Sequence, residues 1–296
     1  MLVAHLAAIQ FSIVSELSIA GVNLGDIGII IFFYISGELI TRSALNRNLY
    51  SYCISRAGRI FPALIVCNIL TISVVSSLNA DVSVSLREYL EYIFYNSLLL
   101  LGLFVDLQYV FSDHPFTAIN GSLWTLPVEL RLYIVFSIIC LMKKYSRFAE
   151  VFVIFLLIVT LTKLVRSELM SLRDPEAILY FAFCVGSLSN FYKPSLLVLC
   201  LIVLSPFINL DFSLTLKLIT LFAITQFTKI KIYRPLALDI SYGLYLYHFP
   251  IFQIMRSLDL HINAQIILGV IITVSLSILS AQLIEGKVSQ WKTRSL

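Results

Sequence analysis

Two ionisable side chains enter an apolar run near the middle of the chain. Glu129 and Arg131 lie in the segment Gly-Ser-Leu-Trp-Thr-Leu-Pro-Val-Glu-Leu-Arg-Leu-Tyr at 121–133, which opens the apolar run 132–142. An ionisable group inside a bilayer costs on the order of 2.5 to 3.5 kcal/mol on insertion scales. Such a residue is therefore a candidate for a functional role. The Glu129 carboxylate could orient a histidine or bind hydroxyl groups. The alternative is a Glu129 and Arg131 pair at the lipid headgroups.

Two of the four histidines lie in apolar surroundings. His5 is the only ionisable side chain of the first apolar run, 1–14, and His248 precedes Pro250 in an aromatic segment. An imidazole ordinarily has a pKa near about 6.5 and can accept a proton at neutral pH, a form of catalysis that typically contributes about 10²- to 10⁴-fold. Either histidine could instead be structural, with its ring bonded to a backbone carbonyl.

A cluster of arginines follows the second apolar run. Arg42, Arg56 and Arg59 lie in a segment, 41–59, that contains no acidic residue. Guanidinium groups match phosphate oxygens well, so these side chains suit a ligand that carries phosphate groups. The alternative role is topological, because basic residues collect in cytoplasmic loops.

The composition identifies the class of protein. Hydrophobic residues make up 59% of the 296 residues and charged residues 13%, and the mean hydropathy is +0.93. Soluble domains carry about 25% charged residues, so this is a polytopic membrane protein. The five cysteines show no CxxC spacing, so we expect no disulfide framework and no metal site. The net charge of +4 comes mostly from loops predicted to be cytoplasmic, so it indicates the orientation of the chain in the membrane. It predicts no nucleic-acid partner.

The apolar runs predict an all-α fold of about ten spanning helices. The first run is shorter than the about 20 residues that a crossing needs, so we expect the first helix to be truncated at its N-terminus. There is no internal repeat, and one membrane domain is predicted over residues 1–296. The ten runs are 1–14, 27–40, 60–78, 132–142, 151–162, 177–191, 195–208, 212–227, 236–255 and 262–284.

The basic loops decide the predicted sidedness. Most basic groups fall on alternate loops if the segment 89–110 is re-entrant or interfacial and does not cross the bilayer. Both termini and the loops 41–59, 143–147 and 229–235 are then cytoplasmic, and 112–122 faces outward. The loop 163–173 is the exception, since it is basic but falls on the outer side.

Five short motifs occur in order along the chain. They are Phe-Phe-Tyr-Ile-Ser-Gly-Glu-Leu-Ile at 32–40, Arg-Ile-Phe-Pro-Ala-Leu at 59–64, Leu-Trp-Thr-Leu-Pro-Val-Glu at 123–129, Ile-Ser-Tyr-Gly-Leu-Tyr-Leu-Tyr-His-Phe-Pro at 240–250 and Leu-Ile-Glu at 283–285. In these motifs the chain resembles the acyltransferase family 3 membrane proteins, bacterial enzymes that O-acylate surface polysaccharides and related glycans.

The resemblance implies roles for individual residues. His5 would be the general base, with Glu129 and His248 as the other catalytic residues. Arg42, Arg56 and Arg59 would hold the acyl-CoA donor, and Trp124, Ser36 and Tyr245 would contact the substrate. The donor implied is acetyl-CoA, a substrate and not a bound cofactor. The acceptor is a glycan or lipid-linked glycan of O-antigen, lipopolysaccharide, capsule or exopolysaccharide.

The chain departs from the family pattern at three places. Family members carry a basic residue eleven positions before the histidine that corresponds to His5, and that position would precede Met1. Glu38 replaces an apolar residue, and Gly286 stands where a proline commonly follows the glutamate of the last motif. The first departure is the reason to expect a start upstream or a truncated chain.

Two classes of function remain from the sequence. The first is an O-acyltransferase in the bacterial cytoplasmic (inner) membrane, and the second is a transporter or flippase of glycan intermediates that uses the same polar residues as a path. The motifs favour the enzyme, because paired broken helices and inverted repeats are not seen. GxSxG, GxxxxGK[ST] and HExxH motifs are absent, so a serine hydrolase, a P-loop enzyme or a zincin is not supported.

Overall fold

The computed structural model describes residues 2–11, 18–19, 22–78, 84–142, 147–169, 174–206, 211–227 and 238–286. Over these residues helices dominate, and the strands Ser18–Ile19 (β1) and Val22–Asn23 (β2) form one short antiparallel pair. The helices are α1 (Leu2–Phe11), α2 (Leu24–Asn46), α3 (Leu49–Leu78), α4 (Leu86–Leu98), α5 (Leu126–Met142), α6 (Phe148–Leu169), α7 (Pro175–Leu188), α8 (Ser195–Leu204), α9 (Phe212–Phe227), α10 (Ser241–Ser257) and α11 (Ile262–Ser280). A 3₁₀ turn at Gly121–Thr125 precedes α5, and a π-helical turn at Ala281–Glu285 extends α11.

This architecture confirms the predicted all-α polytopic bundle. Each of the ten predicted apolar runs overlaps one of these helices. Among the described residues, five helical stretches are long and apolar enough to cross a membrane, and four shorter apolar helices of 10–17 residues accompany them. The predicted cytoplasmic loop 229–235 lies outside the described residues, as does 143–147 except for Arg147. The sidedness of the loops therefore stays a prediction.

The segment predicted to be re-entrant or interfacial, 89–110, overlaps α4. This helix has 13 residues, fewer than the about 20 that a crossing needs. It begins at a capping box of Ser85 and Glu88 and ends at Leu99, which adopts a positive φ of 61°. The Asn96 side chain then pairs with the backbone of Phe104 through N–H···O contacts of 2.7 and 3.0 Å. Asn96 thereby ties the end of α4 to the segment that follows it. The re-entrant or interfacial placement of this segment stays a prediction.

The chain divides into two compact units, and α3 and α5 contribute residues to both. The first unit comprises Met1–Leu17, Ile54–Leu130 and Pro235–Leu296, and the second comprises Ser18–Cys53 and Arg131–Arg234. The single domain over residues 1–296 stays a prediction.

In the first unit, α10 is packed between α1 and α11. Ile9, Phe249 and Phe252 form a buried apolar cluster. The Gln10 Nε2 donates to the Phe252 carbonyl at 3.0 Å, and the Arg256 guanidinium donates to the Ile9 and Gln10 carbonyls at 2.5 and 3.0 Å. A cation at the C-terminal end of α1 complements the exposed carbonyls and dipole of that helix. These contacts fix α1 along α10.

In the second unit, α2 and α7 cross at two glycines. A Cβ atom on Gly37 would lie 2.0 Å from the Phe183 carbonyl oxygen, and one on Gly186 would lie 1.9 Å from the Tyr34 carbonyl oxygen. Small residues allow the backbones of membrane helices to approach this closely. The Ser187 hydroxyl adds a hydrogen bond to the Gly37 carbonyl at 3.2 Å.

Candidate active site

The site in the first unit begins with a proline inside α10. Pro250 has no N–H, so the Leu246 carbonyl four residues earlier lacks its usual intrahelical donor. The Asn120 Nδ2 donates to that carbonyl at 3.0 Å and the Cys67 thiol donates to it at 3.4 Å. The freed carbonyl therefore ties α10 to α3 and to the segment that precedes the 3₁₀ turn.

The 3₁₀ turn is held to α10 by further hydrogen bonds. The Asn120 Oδ1 accepts from the Ser122 hydroxyl at 2.6 Å and from its backbone N–H at 3.2 Å. The Tyr245 hydroxyl donates to the Ser122 carbonyl. Its oxygen lies 2.7 Å from the Thr125 hydroxyl, which must donate because the only tyrosine hydrogen is already used. The turn and this part of α10 thus form one hydrogen-bonded body.

His5 and His248 form a hydrogen-bonded pair between α1 and α10. The His5 Nδ1 lies 2.7 Å from the His248 Nε2, and the two ring planes differ by 1°. The Phe249 ring meets the His5 ring edge-on at a centroid distance of 5.2 Å. His248 is 1% exposed, whereas His5 is half-buried. His5 is therefore the more accessible of the two residues.

The backbone of α10 assigns the hydrogens of both rings. The His248 Nδ1 lies 2.9 Å from the Leu244 carbonyl and 2.9 Å from the Tyr245 carbonyl. A carbonyl oxygen only accepts, so this Nδ1 carries the hydrogen and the Nε2 of neutral His248 carries a lone pair. That lone pair accepts the Nδ1–H of His5. The basic lone pair of His5 is consequently on Nε2.

Glu129 and Tyr245 belong to the same surroundings. Glu129 is 4% exposed, and it lies close enough to the Tyr245 hydroxyl for electrostatic interaction. The Tyr245 and His248 rings have a centroid distance of 6.5 Å. Trp124 is half-buried in the 3₁₀ turn next to Thr125. The structure thus assigns five of the predicted site residues, His5, Glu129, His248, Trp124 and Tyr245, to the first unit.

The predicted donor-binding arginines have different surroundings. Arg59 lies 3.9 Å from the Asp239 carboxylate and interacts electrostatically with Glu285. Arg56, one turn earlier on α3, donates to the Ser55 hydroxyl at 3.2 Å. Arg42 pairs with Glu38 at 3.3 Å on an exposed face of α2. Arg42 and the buried Ser36 belong to the second unit, whereas Arg56 and Arg59 belong to the first.

Sequence analysis missed Asn120, Ser122 and Asp239. A proline inside a helix leaves the carbonyl four residues earlier without its usual donor. Pro250 therefore identifies the Leu246 carbonyl as one that needs another donor, but it does not identify which residue provides that donor. Asp239 immediately precedes the motif at 240–250 and pairs with an arginine of the motif at 59–64. That pairing links residues 180 positions apart and has no local signal.

The fold and site define a helical membrane protein with a buried histidine pair open on one ring. A family model described as an acyltransferase domain matches residues 1–282. The chain belongs to this family, acyltransferase family 3, and the predicted enzyme class, an O-acyltransferase, is confirmed.

Two curated proteins are similar to this chain. An O-acetyl transferase of Shigella phage Sf6 is 28% identical over 288 residues, which cover 90% of this chain and 85% of that protein. Nodulation protein 10 of Rhizobium leguminosarum bv. viciae is 34% identical over 116 residues, which cover 36% of this chain and 31% of that protein. No solved structure matches the chain.

Proposed function

We propose that this enzyme transfers an acetyl group from acetyl-CoA to a sugar hydroxyl of a bacterial surface polysaccharide. The observation that carries the proposal is the His5 and His248 pair, because its hydrogen-bond pattern leaves a basic lone pair on the accessible ring. The relative from Shigella phage Sf6 is an O-acetyl transferase, which supports acetyl as the acyl group. The cytoplasmic membrane of a bacterium is the location in this proposal, since acetyl-CoA is available on its inner side.

The chemistry required is one proton transfer and one acyl transfer. The His5 Nε2 accepts the hydroxyl proton while the hydroxyl oxygen bonds to the acyl carbon. The carbon–sulfur bond then breaks, and the thiolate leaves with the proton returned from Nε2. The His5 imidazolium that forms in between keeps its Nδ1–H bond to His248. His248 therefore acts as a positioning residue that stabilises the charged ring.

The donor is proposed to bind through Arg56 and Arg59. These arginines are three residues apart on α3, so they share one side of that helix. The Arg59 and Asp239 side chains are 42% and 62% exposed, and such ion pairs contribute little, about 0 to 1 kcal/mol. A phosphate could displace that contact readily. Arg42 belongs to the second unit, and its contact with the donor stays a prediction.

The acceptor is proposed to contact Glu129, Trp124 and Tyr245. Ser36 belongs to the second unit, and its contact with the substrate stays a prediction. A buried carboxylate beside a tyrosine hydroxyl can accept hydrogen bonds from sugar hydroxyls. The proposed acceptor class includes O-antigen, other lipopolysaccharide, capsule and exopolysaccharide. A transporter of glycan intermediates gains no support, because the chain belongs to an acyltransferase family.

The experiment uses membranes that contain the protein, acetyl-CoA labelled in the acetyl group, and purified polysaccharide. The label should appear on the polysaccharide as a base-labile ester. Replacing both Arg56 and Arg59 by Gln should raise the KM for acetyl-CoA, whereas Arg87→Gln, which breaks an exposed ion pair with Glu91, should leave it unchanged. Label on water-soluble acetate alone, with none on any polysaccharide, would contradict the proposal.

A further inference from the structure

The second unit has an apolar groove that the proposed reaction does not use. It lies between α5, α6 and α7 and has a volume of about 440 Å³. Ile134, Val135 and Val159 line it and are 53%, 41% and 46% exposed. Ligand sites usually have volumes of roughly 300 to 1,000 Å³ and mostly apolar walls with a few polar groups. The groove has the size and lining of such a site.

A network of charged groups surrounds Tyr180, which lines this groove. Arg131 pairs with Glu176 at 2.7 Å, and Lys163 pairs with Asp174 at 3.0 Å. The Tyr180 hydroxyl donates to Glu176 at 3.0 Å. Lys163 and Arg131 lie 4.8 and 5.9 Å from the centroid of the Tyr180 ring. Cation–π contacts and ion pairs together hold both cations in the lining of the groove.

A second cleft lies beside the apolar groove. It has a volume of about 380 Å³ and is lined by polar side chains, among them Lys163, Arg166 and Ser167. Lys163 lines both clefts. The two linings together contain three basic residues, Arg131, Lys163 and Arg166, and one acidic residue, Asp174. An apolar space and a polar, cationic space that meet at one lysine are complementary to an anionic amphiphile.

The sequence gives a separate reason to assign a ligand to these basic residues. Two of them, Lys163 and Arg166, belong to the segment 163–173, which is the exception to the predicted alternation of basic loops. On that predicted topology, the orientation of the chain in the membrane does not account for these two side chains. Charge retained at an unfavourable place is expected to serve binding.

We propose that the two clefts bind an anionic glycerophospholipid of the surrounding bilayer. One acyl chain occupies the apolar groove, and the phosphate lies at Lys163 and Arg166. Lysine binds phosphate as a point charge, and basic pockets between membrane helices bind anionic headgroups. The bilayer supplies this ligand at high local concentration, so the site needs only modest affinity. The proposal does not depend on the proposed acyl transfer.

Native mass spectrometry of the purified full-length protein measures the proposal directly. The protein is exchanged into nanodiscs that contain phosphatidylglycerol and phosphatidylcholine, and the lipids that stay bound on release are counted. Phosphatidylglycerol should be retained in preference. Lys163→Gln should weaken its retention roughly tenfold, as expected for one charge-assisted contact. The matched control is Lys217→Gln, which breaks another lysine–aspartate pair of the same unit, 2.9 Å from Asp26, and should retain the lipid.

A second pair of variants tests the apolar groove without a change of charge. Val159→Trp fills the groove and should reduce retention of phosphatidylglycerol. Val151→Trp, at a 62% exposed position of the same helix, should not. Thermal unfolding of each variant separates lost binding from lost folding. The proposal is overturned by equal retention of phosphatidylcholine, by unchanged retention in Lys163→Gln, or by preferential binding of an isoprenoid phosphate.

Discussion

His248 has no nitrogen left for substrate. Its Nδ1–H donates to two backbone carbonyls and its Nε2 accepts from His5. The backbone of α10 therefore occupies the position that a carboxylate has in a serine-protease triad, where the third member fixes the tautomer and orientation of the histidine. A carbonyl carries no full charge, so its role here is orientation. We therefore propose that His248 acts only through the ring of His5.

Substitutions of His248 should separate orientation from packing. His248→Gln places an amide oxygen where Nε2 accepts the His5 hydrogen bond, whereas His248→Ala removes that acceptor. We expect His248→Ala to lower kcat by roughly 10²-fold, about 2.7 kcal/mol of barrier, with the KM for acceptor unchanged. His248→Gln should keep most of the rate. Equal losses of kcat in the two variants would contradict the positioning role.

His114 predicts a pH dependence of stability. His114 lies in the loop before the 3₁₀ turn, and its Nδ1 lies 2.9 Å from the amide oxygen of Gln253 in α10. Burial lowers the pKa of His114 below its ordinary value of 6.5, the bond to Gln253 raises it, and Arg256 lowers it again. The unfolded chain therefore binds more protons below pH 6.5. Stability is present in full above that pH and is lost as the pH falls through the range below it.

The variant His114→Asn keeps an N–H donor for Gln253 but does not titrate. We expect the thermal midpoint of the parent protein to fall more than that of His114→Asn when the pH is lowered from about 7.5 to about 5.5. Differential scanning fluorimetry in detergent at matched ionic strength measures the difference. Parallel curves for the two proteins would show that His114 does not link protonation to folding.

At the scale of elements, α10 is the helix that positions the other parts of the site. Pro250 frees the Leu246 carbonyl, and Asn120 satisfies it from outside the helix. The same asparagine orders Ser122, whose carbonyl accepts from Tyr245. A proline that weakens one helix therefore creates the contact that positions the next element.

A double-mutant cycle tests this coupling. Asn120→Ala leaves a buried carbonyl with one fewer donor and should cost about 1 to 3 kcal/mol of stability. In a Pro250→Ala background the restored N–H of residue 250 can satisfy the Leu246 carbonyl, so the same Asn120→Ala change should cost less than half as much. Reversible denaturation in mixed micelles gives the four free energies. Additive costs would contradict the assigned role of the proline.

The helices could be predicted from sequence, whereas their pairing could not. Long apolar runs predict α2, α3, α5, α6 and α11 because a bilayer leaves few other backbone conformations available. The site requires contacts between His5 and His248, 243 residues apart, and between Asn120 and Leu246, 126 apart. Such contacts depend on tertiary packing, for which neither periodicity nor composition carries a signal. The resemblance to the family named both histidines but not their mutual hydrogen bond.

At the scale of the whole molecule, the basic loops predict which surfaces face the cytoplasm. Ser112 is exposed in the loop that is predicted to face outward, and Ser146 belongs to a loop predicted to be cytoplasmic and lies outside the described residues. In intact cells a membrane-impermeant thiol reagent should label Ser112→Cys and not Ser146→Cys. The exposed Cys53 and Cys200 are first replaced by Ser to remove background. The reverse labelling pattern would invert the topology.

The assignment of His5 as the general base is the central claim, and one measurement tests it most directly. O-acetyl groups on polysaccharide from cells that express His5→Ala are counted by NMR, with the amount of protein in the membrane measured alongside. His5→Asn is the matched control, since its amide N–H can still bond to His248 but no basic nitrogen remains. We expect both variants to reach the membrane normally and to lose about 10²- to 10⁴-fold of the transfer rate, roughly 3 to 5.5 kcal/mol of barrier. Full O-acetylation by either variant would contradict the account.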